Sequence, residues 1–341
     1  MITLLNRLSL LTLALTLLAV PAVPAADAPV KIRLGTLAPR GSSYFKHMQA
    51  MGEAWRAQGV ALTIYPDGTM GSEADMVRRM RLGQLQAGVL TVIGLQDIEP
   101  AVAGLQNMPM MFRTLDEVDL IGEKLRPLLE KRMLEKGFVV LGWCDTGWVR
   151  FFSKQPVVRP ADLRKTKLFV WAGNAADLDL YRSVGCAPVP LETADILPGL
   201  RTGLIDAVPL PPAIALAGQV DAVAPHMVDL NWGPLVGALV VTRKAWEAIP
   251  AAARDAVLAA GAQAGRQIRT DARRESDESV AAMQKRGLTV HAVPEDALLE
   301  WRRDAESTYP RVRGSIVPAD IFDEVVAQLK AYRAARGAGP E

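Results

Sequence analysis

The chain has few cysteines and histidines, and its positive and negative charges nearly cancel. The two cysteines and three histidines among its 341 residues lie far apart, without the close spacing of a metal site. Lys and Arg (39) almost balance Asp and Glu (37), which gives no reason to propose a nucleic-acid partner. No Gly-x-Ser-x-Gly elbow, phosphate loop or paired-histidine zinc motif occurs. The sequence therefore predicts neither a metal nor a cofactor, and only Glu73 and Asp145 would suit an enzyme's acid or base.

The first residues predict export. Residues 1–7 are short and carry one positive charge, residues 8–20 are mostly apolar, and residues 23–26 are small. This order is typical of a secretory signal peptide, and an apolar run of about 13 residues is too short to span a bilayer. An uncleaved anchor helix is the alternative. No later segment approaches the roughly 20 apolar residues of a membrane helix. We therefore expect residues 1–26 to be removed and the mature chain to work in the periplasm.

The oxidising environment of an exported protein bears on the two cysteines. Cys144 and Cys186 have the chance to form one disulfide there, but two buried thiols fit the sequence equally well. The sequence leaves both arrangements open.

The sequence pattern of the mature chain predicts two α/β units. Its roughly 310 residues exceed what one hydrophobic core usually serves, which predicts two lobes. Strand-like and helix-like segments alternate over residues 30–92 and again over residues 167–210, a pattern typical of parallel strands with covering helices. Residues 235–242 are strand-like and are expected to return to the first lobe. Two crossings between lobes predict a hinge, with a ligand in the cleft.

A long helix is predicted near the C-terminal side. From Pro250 to about Arg286 no proline interrupts a stretch rich in Ala, Arg, Gln and Glu, so a helix of about 35 residues is expected to run across both lobes. Acidic residues interrupt its arginine series, which favours a solvated face over an anion-binding one. The expected division is a first lobe of residues 27–145 plus about 230–262, and a second lobe of 146–229 plus about 263–341.

Several short motifs recur in a characteristic order. They are Leu34-Gly35-Thr36, Met70-Gly71-Ser72-Glu73, Arg81-Leu82-Gly83-Gln84-Leu85-Gln86-Ala87, Met108-Pro109-Met110-Met111-Phe112, Pro160-Ala161-Asp162-Leu163-Arg164, Pro188-Val189-Pro190 and Leu200-Arg201-Thr202-Gly203-Leu204-Ile205-Asp206-Ala207. In this order they resemble the DctP-type substrate-binding proteins of tripartite ATP-independent periplasmic (TRAP) transporters. The resemblance implies a class-II-like two-lobed α/β periplasmic binding protein that closes over a small organic anion. It also implies delivery to the small and large integral membrane subunits of an ion-gradient-driven TRAP permease.

The predicted binding site departs from that family's pattern. The resemblance implies an arginine on the strand after the Pro-x-Asp-Leu motif, where a guanidinium grips both oxygens of a ligand carboxylate. Phe169 stands there instead, two residues before Trp171. Leu210 lies where polar residues are common, and Trp232 follows Asn231 where a histidine often does. Each substitution alone fits an ordinary core residue, but together they predict a more apolar pocket.

The remaining candidate ligand-binding residues lie near the predicted crossing and the second lobe's helix start. The resemblance places another arginine near Trp148, and Arg150 is the candidate. The spacing leaves its register uncertain by one, so Val149 is the alternative cleft residue and a surface arginine is the other. Asn174 begins the next predicted helix and joins the candidates.

On the first lobe, strand ends and helix starts are expected to face the crevice. They bring Tyr44, Glu73, Ile93 and Gly94, although Glu73 has the alternative role of complementing a helix dipole. The sequence thus predicts an apolar or aromatic carboxylic acid, or a larger apolar molecule, as ligand. A periplasmic ligand sensor or a carrier of lipids or hydrophobic molecules with the same fold is the alternative function.

Overall fold

The computed structural model describes residues 28–337, so the predicted signal peptide lies outside the described residues. Within this range ten strands form one hydrogen-bonded sheet. The strands are β1 (Val30–Thr36), β2 (Val60–Tyr65), β3 (Ala87–Thr91), β4 (Phe138–Ser153), β5 (Lys167–Trp171), β6 (Ala187–Leu191), β7 (Ala207–Leu210), β8 (His226–Val228), β9 (Gly233–Thr242) and β10 (Thr289–His291). The main order is β2-β1-β3-β9-β4-β7-β5-β6, while β8 pairs with both β4 and β10.

Helices cover both parts of the sheet. They are α1 (Ser43–Arg56), α2 (Glu73–Arg81), α3 (Val92–Gln96), α4 (Leu115–Glu135), α5 (Pro160–Leu163), α6 (Ala175–Ser183), α7 (Ile196–Thr202), α8 (Pro212–Ala217), α9 (Arg243–Ala248), α10 (Ala251–Gln284), α11 (Glu295–Ser315) and α12 (Ala319–Ala335). Short 3-10 helices lie at Pro100–Leu105, Thr193–Asp195 and Val220–Ala222. No helix of this described range is both long and apolar enough to cross a membrane.

The long strand β4 joins the two lobes. Its residues Phe138–Val149 pair with β9 in the first lobe's half of the sheet, and its residues Arg150–Ser153 pair with β7 in the second lobe's half. The strand β9 also pairs antiparallel with β3. The segment of residues 233–242 thus pairs with strands of the first lobe, and the molecule has the expected two-lobed α/β architecture.

Serine side chains cap the starts of two helices. Ser42 accepts a hydrogen bond from the Phe45 amide at 3.3 Å, and Ser72 accepts one from the Asp75 amide at 3.2 Å. Each serine satisfies an N–H group that has no partner within its helix. These caps fix α1 and α2 with their first turns toward the cleft between the lobes.

The helix α10 is 34 residues long and runs from Ala251 to Gln284, close to the predicted range. It packs on α1 of the first lobe and on α8 of the second, as a spanning helix should. Its approach to β4 depends on glycine: a Cβ atom on Gly265 would lie only 2.6 Å from the carbonyl oxygen of Trp143. Such a separation is well inside van der Waals contact, so the helix sits closer to the strand than any larger residue permits.

The C-terminal helix α12 lies elsewhere than expected. The predicted division placed all residues after about 263 in the second lobe, but α12 packs on α4 of the first lobe, and Val325 and Leu329 join that lobe's core. The backbone leaves helical geometry at Arg313 and Gly314, which redirects the chain. Its apolar stripe is then buried against α4, and this burial decides the placement.

Neither cysteine is in a disulfide. Cys144 lies on β4 and Cys186 just before β6, and both are free thiols. Burial raises the pKa of Cys144 to about 12 and that of Cys186 to about 11. Of the two arrangements that the sequence left open, the structure shows unpaired thiols.

Candidate functional site: the cleft between the lobes

A cavity of about 180 Å³ lies where β4 crosses from one lobe to the other. Both lobes, the crossing strands and α10 contribute to it. Its apolar wall includes Leu37, Val89, Ile93, Leu210, Ile214, Val236 and Ile268. Apolar cavities of about 150 Å³ accommodate a benzene molecule, so this one is large enough for a ring or a branched aliphatic group.

Glu73 borders the cavity from the start of α2. Its carboxylate accepts hydrogen bonds from the Thr91 amide at 2.8 Å, from the Thr91 hydroxyl at 2.7 Å and from the Gly94 amide at 2.9 Å. Burial raises the pKa of Glu73, and these hydrogen bonds oppose the rise. A Cβ atom at position 94 would lie 2.8 Å from the Glu73 Cβ, which accounts for the glycine. Glu73 therefore holds α2 against the β3–α3 turn while it lines the cavity.

Two hydroxyl groups at the cavity are buried and unpaired. The hydroxyls of Tyr44 and Thr146 have no hydrogen-bond partner among the described residues. Both residues line the cavity, and Tyr44 is only 7% exposed. Burial chiefly, and the nearby carboxylate of Glu275, raise the pKa of Tyr44, so its hydroxyl stays protonated. A buried hydroxyl without a partner is costly, which makes both groups natural contacts for a polar atom of a ligand.

Asp145 lies on β4 at the crossing, and its charge is compensated. Arg273 of α10 donates to its two carboxylate oxygens at 2.9 and 2.8 Å. The same guanidinium donates to both oxygens of Asp119 on α4, at 2.9 and 2.7 Å. This network ties the spanning helix to the crossing strand and to the first lobe.

On the second lobe, Trp171 forms the cavity wall. Its indole N–H donates to the Thr193 hydroxyl at 3.3 Å, and its ring meets Phe169 edge-on, with 5.0 Å between centroids. Phe169 itself is fully buried behind Trp171 and does not border the main cavity. One face of Phe169, which stands at the position of the expected arginine, therefore packs in the second lobe's core.

On its other side Phe169 borders a smaller cavity of about 70 Å³, which shares Trp171 and Leu235 with the main one. Trp232 lies here and donates to the Tyr181 hydroxyl at 3.1 Å. Asp177 also lines this space, and burial raises its pKa to about 6 against an opposing hydrogen bond from the Asn174 side chain. Trp171 therefore stands between two adjoining spaces.

Five predicted site residues line neither the main cavity nor the smaller one, and one of these is Gly94. Arg150 forms an ion pair with Asp229, and its neighbour Val149 lines the smaller cavity. Asn174 caps α6 by accepting from the Asp177 amide at 3.1 Å. Trp148 packs on the first lobe's core, and Asn231 lines neither space.

The structure brings the other predicted residues together. Tyr44, Glu73, Ile93, Trp171 and Leu210 line the main cavity, Gly94 donates to Glu73, and Phe169 and Trp232 line the smaller cavity.

Sequence reasoning missed the contributions of Thr146, Ile214 and Ile268 to the cavity. The side chain of Ile268 reaches it because α10 packs so closely against β4, and a helical pattern alone carries no sign of that approach.

Residues 34–314 match the sequence model of the bacterial extracellular solute-binding protein family 7, DctP. The chain belongs to this family. The C4-dicarboxylate-binding periplasmic protein DctP of Rhodobacter capsulatus is 22% identical over 291 residues, which cover 82% of this chain and 85% of that protein.

Solved structures of solute-binding proteins share the fold of this family 7 member. A TRAP periplasmic solute-binding protein of Ralstonia eutropha, with bound (S)-2-acetolactate, superposes with a TM-score of 0.82 at 18% identity and covers 89% of this chain and 99% of its own. A Bordetella pertussis extracytoplasmic solute receptor that binds pyroglutamic acid has a TM-score of 0.79 at 20% identity, with coverage of 89% and 99%.

Residues 28–337 contain no group of three or more His, Cys, Asp or Glu side chains that could hold a metal ion.

Proposed function

We propose that this family 7 protein captures a small organic ligand between its lobes in the periplasm and delivers it to the small and large membrane subunits of a TRAP permease. The main support is the interlobe cavity at β4, in a chain that belongs to a solute-binding family. Closure would move the first lobe against the second and exclude water from the exposed rim of the cavity. The activity is binding, and no chemical step is proposed.

The ligand has a mostly apolar body. The cavity wall combines Leu37, Ile93, Leu210 and Ile214 with the ring of Trp171, and burial of aliphatic or aromatic surface against them favours binding by about 25 cal/mol per Å². Acetolactate and pyroglutamic acid, the ligands of the two similar structures, are acids. With the resemblance, they support an apolar or aromatic carboxylic acid as the first class to test.

The experiment is a thermal-shift screen of apolar acids, amides, alcohols and amines, followed by X-ray scattering with each hit. A true ligand raises the melting temperature by mass action and makes the molecule more compact. The variant Ile214→Trp fills the cavity and should abolish the shift. Val326→Trp places the same ring on an exposed position of α12 and should leave the shift intact.

Two results would refute the proposal. One is a screen in which no compound stabilises the protein, and the other is a stabilising compound that acts equally on Ile214→Trp. Uptake of a hit into vesicles that contain the permease subunits tests delivery. Binding without such uptake would favour the periplasmic sensor or carrier.

A further inference from the structure

We infer that Trp171 limits the length of the ligand, because its indole separates the main cavity from the smaller one. This inference rests on the proposed function and deepens it: the preferred ligand is a short acid whose apolar end stops against Trp171. Trp171 is thus a specificity-determining residue of the same site, and its replacement by a small side chain admits longer acids.

The two cavities meet at a wall of two side chains. Among the described residues, the main cavity of about 180 Å³ and the smaller one of about 70 Å³ share only Trp171 and Leu235 in their linings. Trp171 ends β5 of the second lobe, whereas Leu235 lies on β9, which pairs with β3 of the first lobe. One side chain from each half of the sheet therefore divides a space that would otherwise be continuous.

Neighbours on two sides hold the indole of Trp171 in this position. Its N–H donates to the Thr193 hydroxyl at 3.3 Å, and its ring meets Phe169 edge-on, with 5.0 Å between centroids and 79° between ring planes. Phe169 is fully buried and packs in the second lobe's core. A close-packed core does not yield without loss of contacts, so a ligand that displaced the indole toward Phe169 would lose affinity.

The lining changes from apolar to polar across Trp171. On the side of the main cavity, Leu210 and Ile214 belong to the apolar wall. On the other side, the half-buried carboxyl group of Asp177 lines the smaller cavity. An apolar tail that passed the indole would take water from this carboxyl group without giving it a hydrogen bond, which is unfavourable. The apolar part of the ligand therefore ends at Trp171.

The space before this wall suits a short acid. Since an apolar cavity of about 150 Å³ holds one benzene molecule, the main cavity has room for one ring and a short chain. Each additional buried methylene group should strengthen binding by about fourfold until the molecule reaches the indole. Beyond that length the gain should stop and then reverse.

The test is a series of phenylalkanoates of increasing length: phenylacetate, 3-phenylpropanoate, 5-phenylpentanoate and 7-phenylheptanoate. Isothermal titration of the unsubstituted protein should show the tightest binding by one of the two shorter acids, with 7-phenylheptanoate at least about tenfold weaker. Trp171→Ala joins the two spaces, so it should bind 7-phenylheptanoate at least about tenfold more tightly than the unsubstituted protein does and should prefer a longer acid.

Two further variants separate the wall from general damage. Trp246→Ala removes an indole that packs on the first lobe's core outside both cavities, and it should leave the preferred length unchanged. Trp171→Leu keeps an apolar side chain but shortens the wall, so it should move the preference in the same direction as Trp171→Ala with less loss of packing. The melting temperature of each free variant checks that it folds.

The same preferred length in the unsubstituted protein and in both Trp171 variants would overturn the inference, and so would failure of the whole series at millimolar concentration. If the series binds, Ile214→Trp abolishes that binding and the preferred length ignores Trp171, the capture function stands and only the role of Trp171 is wrong.

Discussion

A buried ion pair also joins α12 to the first lobe, and its loss has a calculable effect. Arg333, in the last turn of α12, donates to the two carboxylate oxygens of Glu117 on α4, both at 2.8 Å. It also donates to the Met111 carbonyl at 2.7 Å, while the Arg113 amide donates to Glu117 at 2.7 Å. Glu117 is 3% exposed. The substitution Arg333→Met removes the charge and keeps most of the packing.

The expected loss in the free energy of unfolding is about 3 kcal/mol. Removal of one member of a buried ion pair typically costs about 3–5 kcal/mol, because the remaining charge stays buried without its partner. The Arg333 side chain is 21% exposed, so water reaches part of the site and the lower end of that range applies.

The loss should depend on pH in a defined direction. Burial on its own would raise the pKa of Glu117, but the hydrogen bonds from Arg333 and the Arg113 amide bring it below its ordinary value. A lowered carboxyl pKa contributes stability that is complete above the unfolded value of about 4.3 and is lost as pH falls through the folded value. The difference between the native protein and Arg333→Met should therefore be full at neutral pH and shrink in acid.

Urea unfolding followed by circular dichroism, at neutral and acidic pH, measures both effects. Arg313→Met is the matched control, since its partner Asp323 is exposed and the pair should contribute little. A loss below about 1 kcal/mol for Arg333→Met, or one that is equal at both pH values, would refute the reasoning.

Two further predictions concern packing and thiol chemistry. Gly265→Ala places a methyl group against the Trp143 carbonyl and should lower the free energy of unfolding by about 1–3 kcal/mol. Gly122→Ala has open space around it and should raise the free energy of unfolding by about 0.5–1 kcal/mol. Chemical denaturation of both variants measures these changes. Cys144 and Cys186 should react slowly with Ellman's reagent in the native state, because their raised pKa values keep the thiolate scarce, and both should react in denaturant without reductant. A thiol that stays silent in denaturant would indicate a disulfide instead.

The elements that the sequence predicted well are those with local causes. The length of α10 and the apolar run of β9 each depend on neighbours in sequence or on a clear pattern. Such a local pattern can be recognised without knowledge of the fold.

The register of Arg150 illustrates what a local pattern misses. Between Asp145 and Trp148 the pairing of β4 with β9 shifts by one residue, as in a β-bulge. One extra residue exchanges the faces of every following side chain, which turns Val149 toward the smaller cavity and Arg150 toward Asp229. The position of α12 was unpredictable for a related reason, because its apolar stripe fits either lobe until the turn before it is known.

The crossing of β4 beside β9 has a mechanical consequence. Two hydrogen-bonded strands, and not loops alone, join the lobes here. Any closure must therefore bend this two-stranded ribbon, which resists bending elastically. The softest place is the bulge, where Gly147 adopts a left-handed conformation with φ of 73°. The bending stiffness of this ribbon would set how far and how fast the lobes open. Two proteins with identical cavity walls could therefore hold and release the same ligand at different rates.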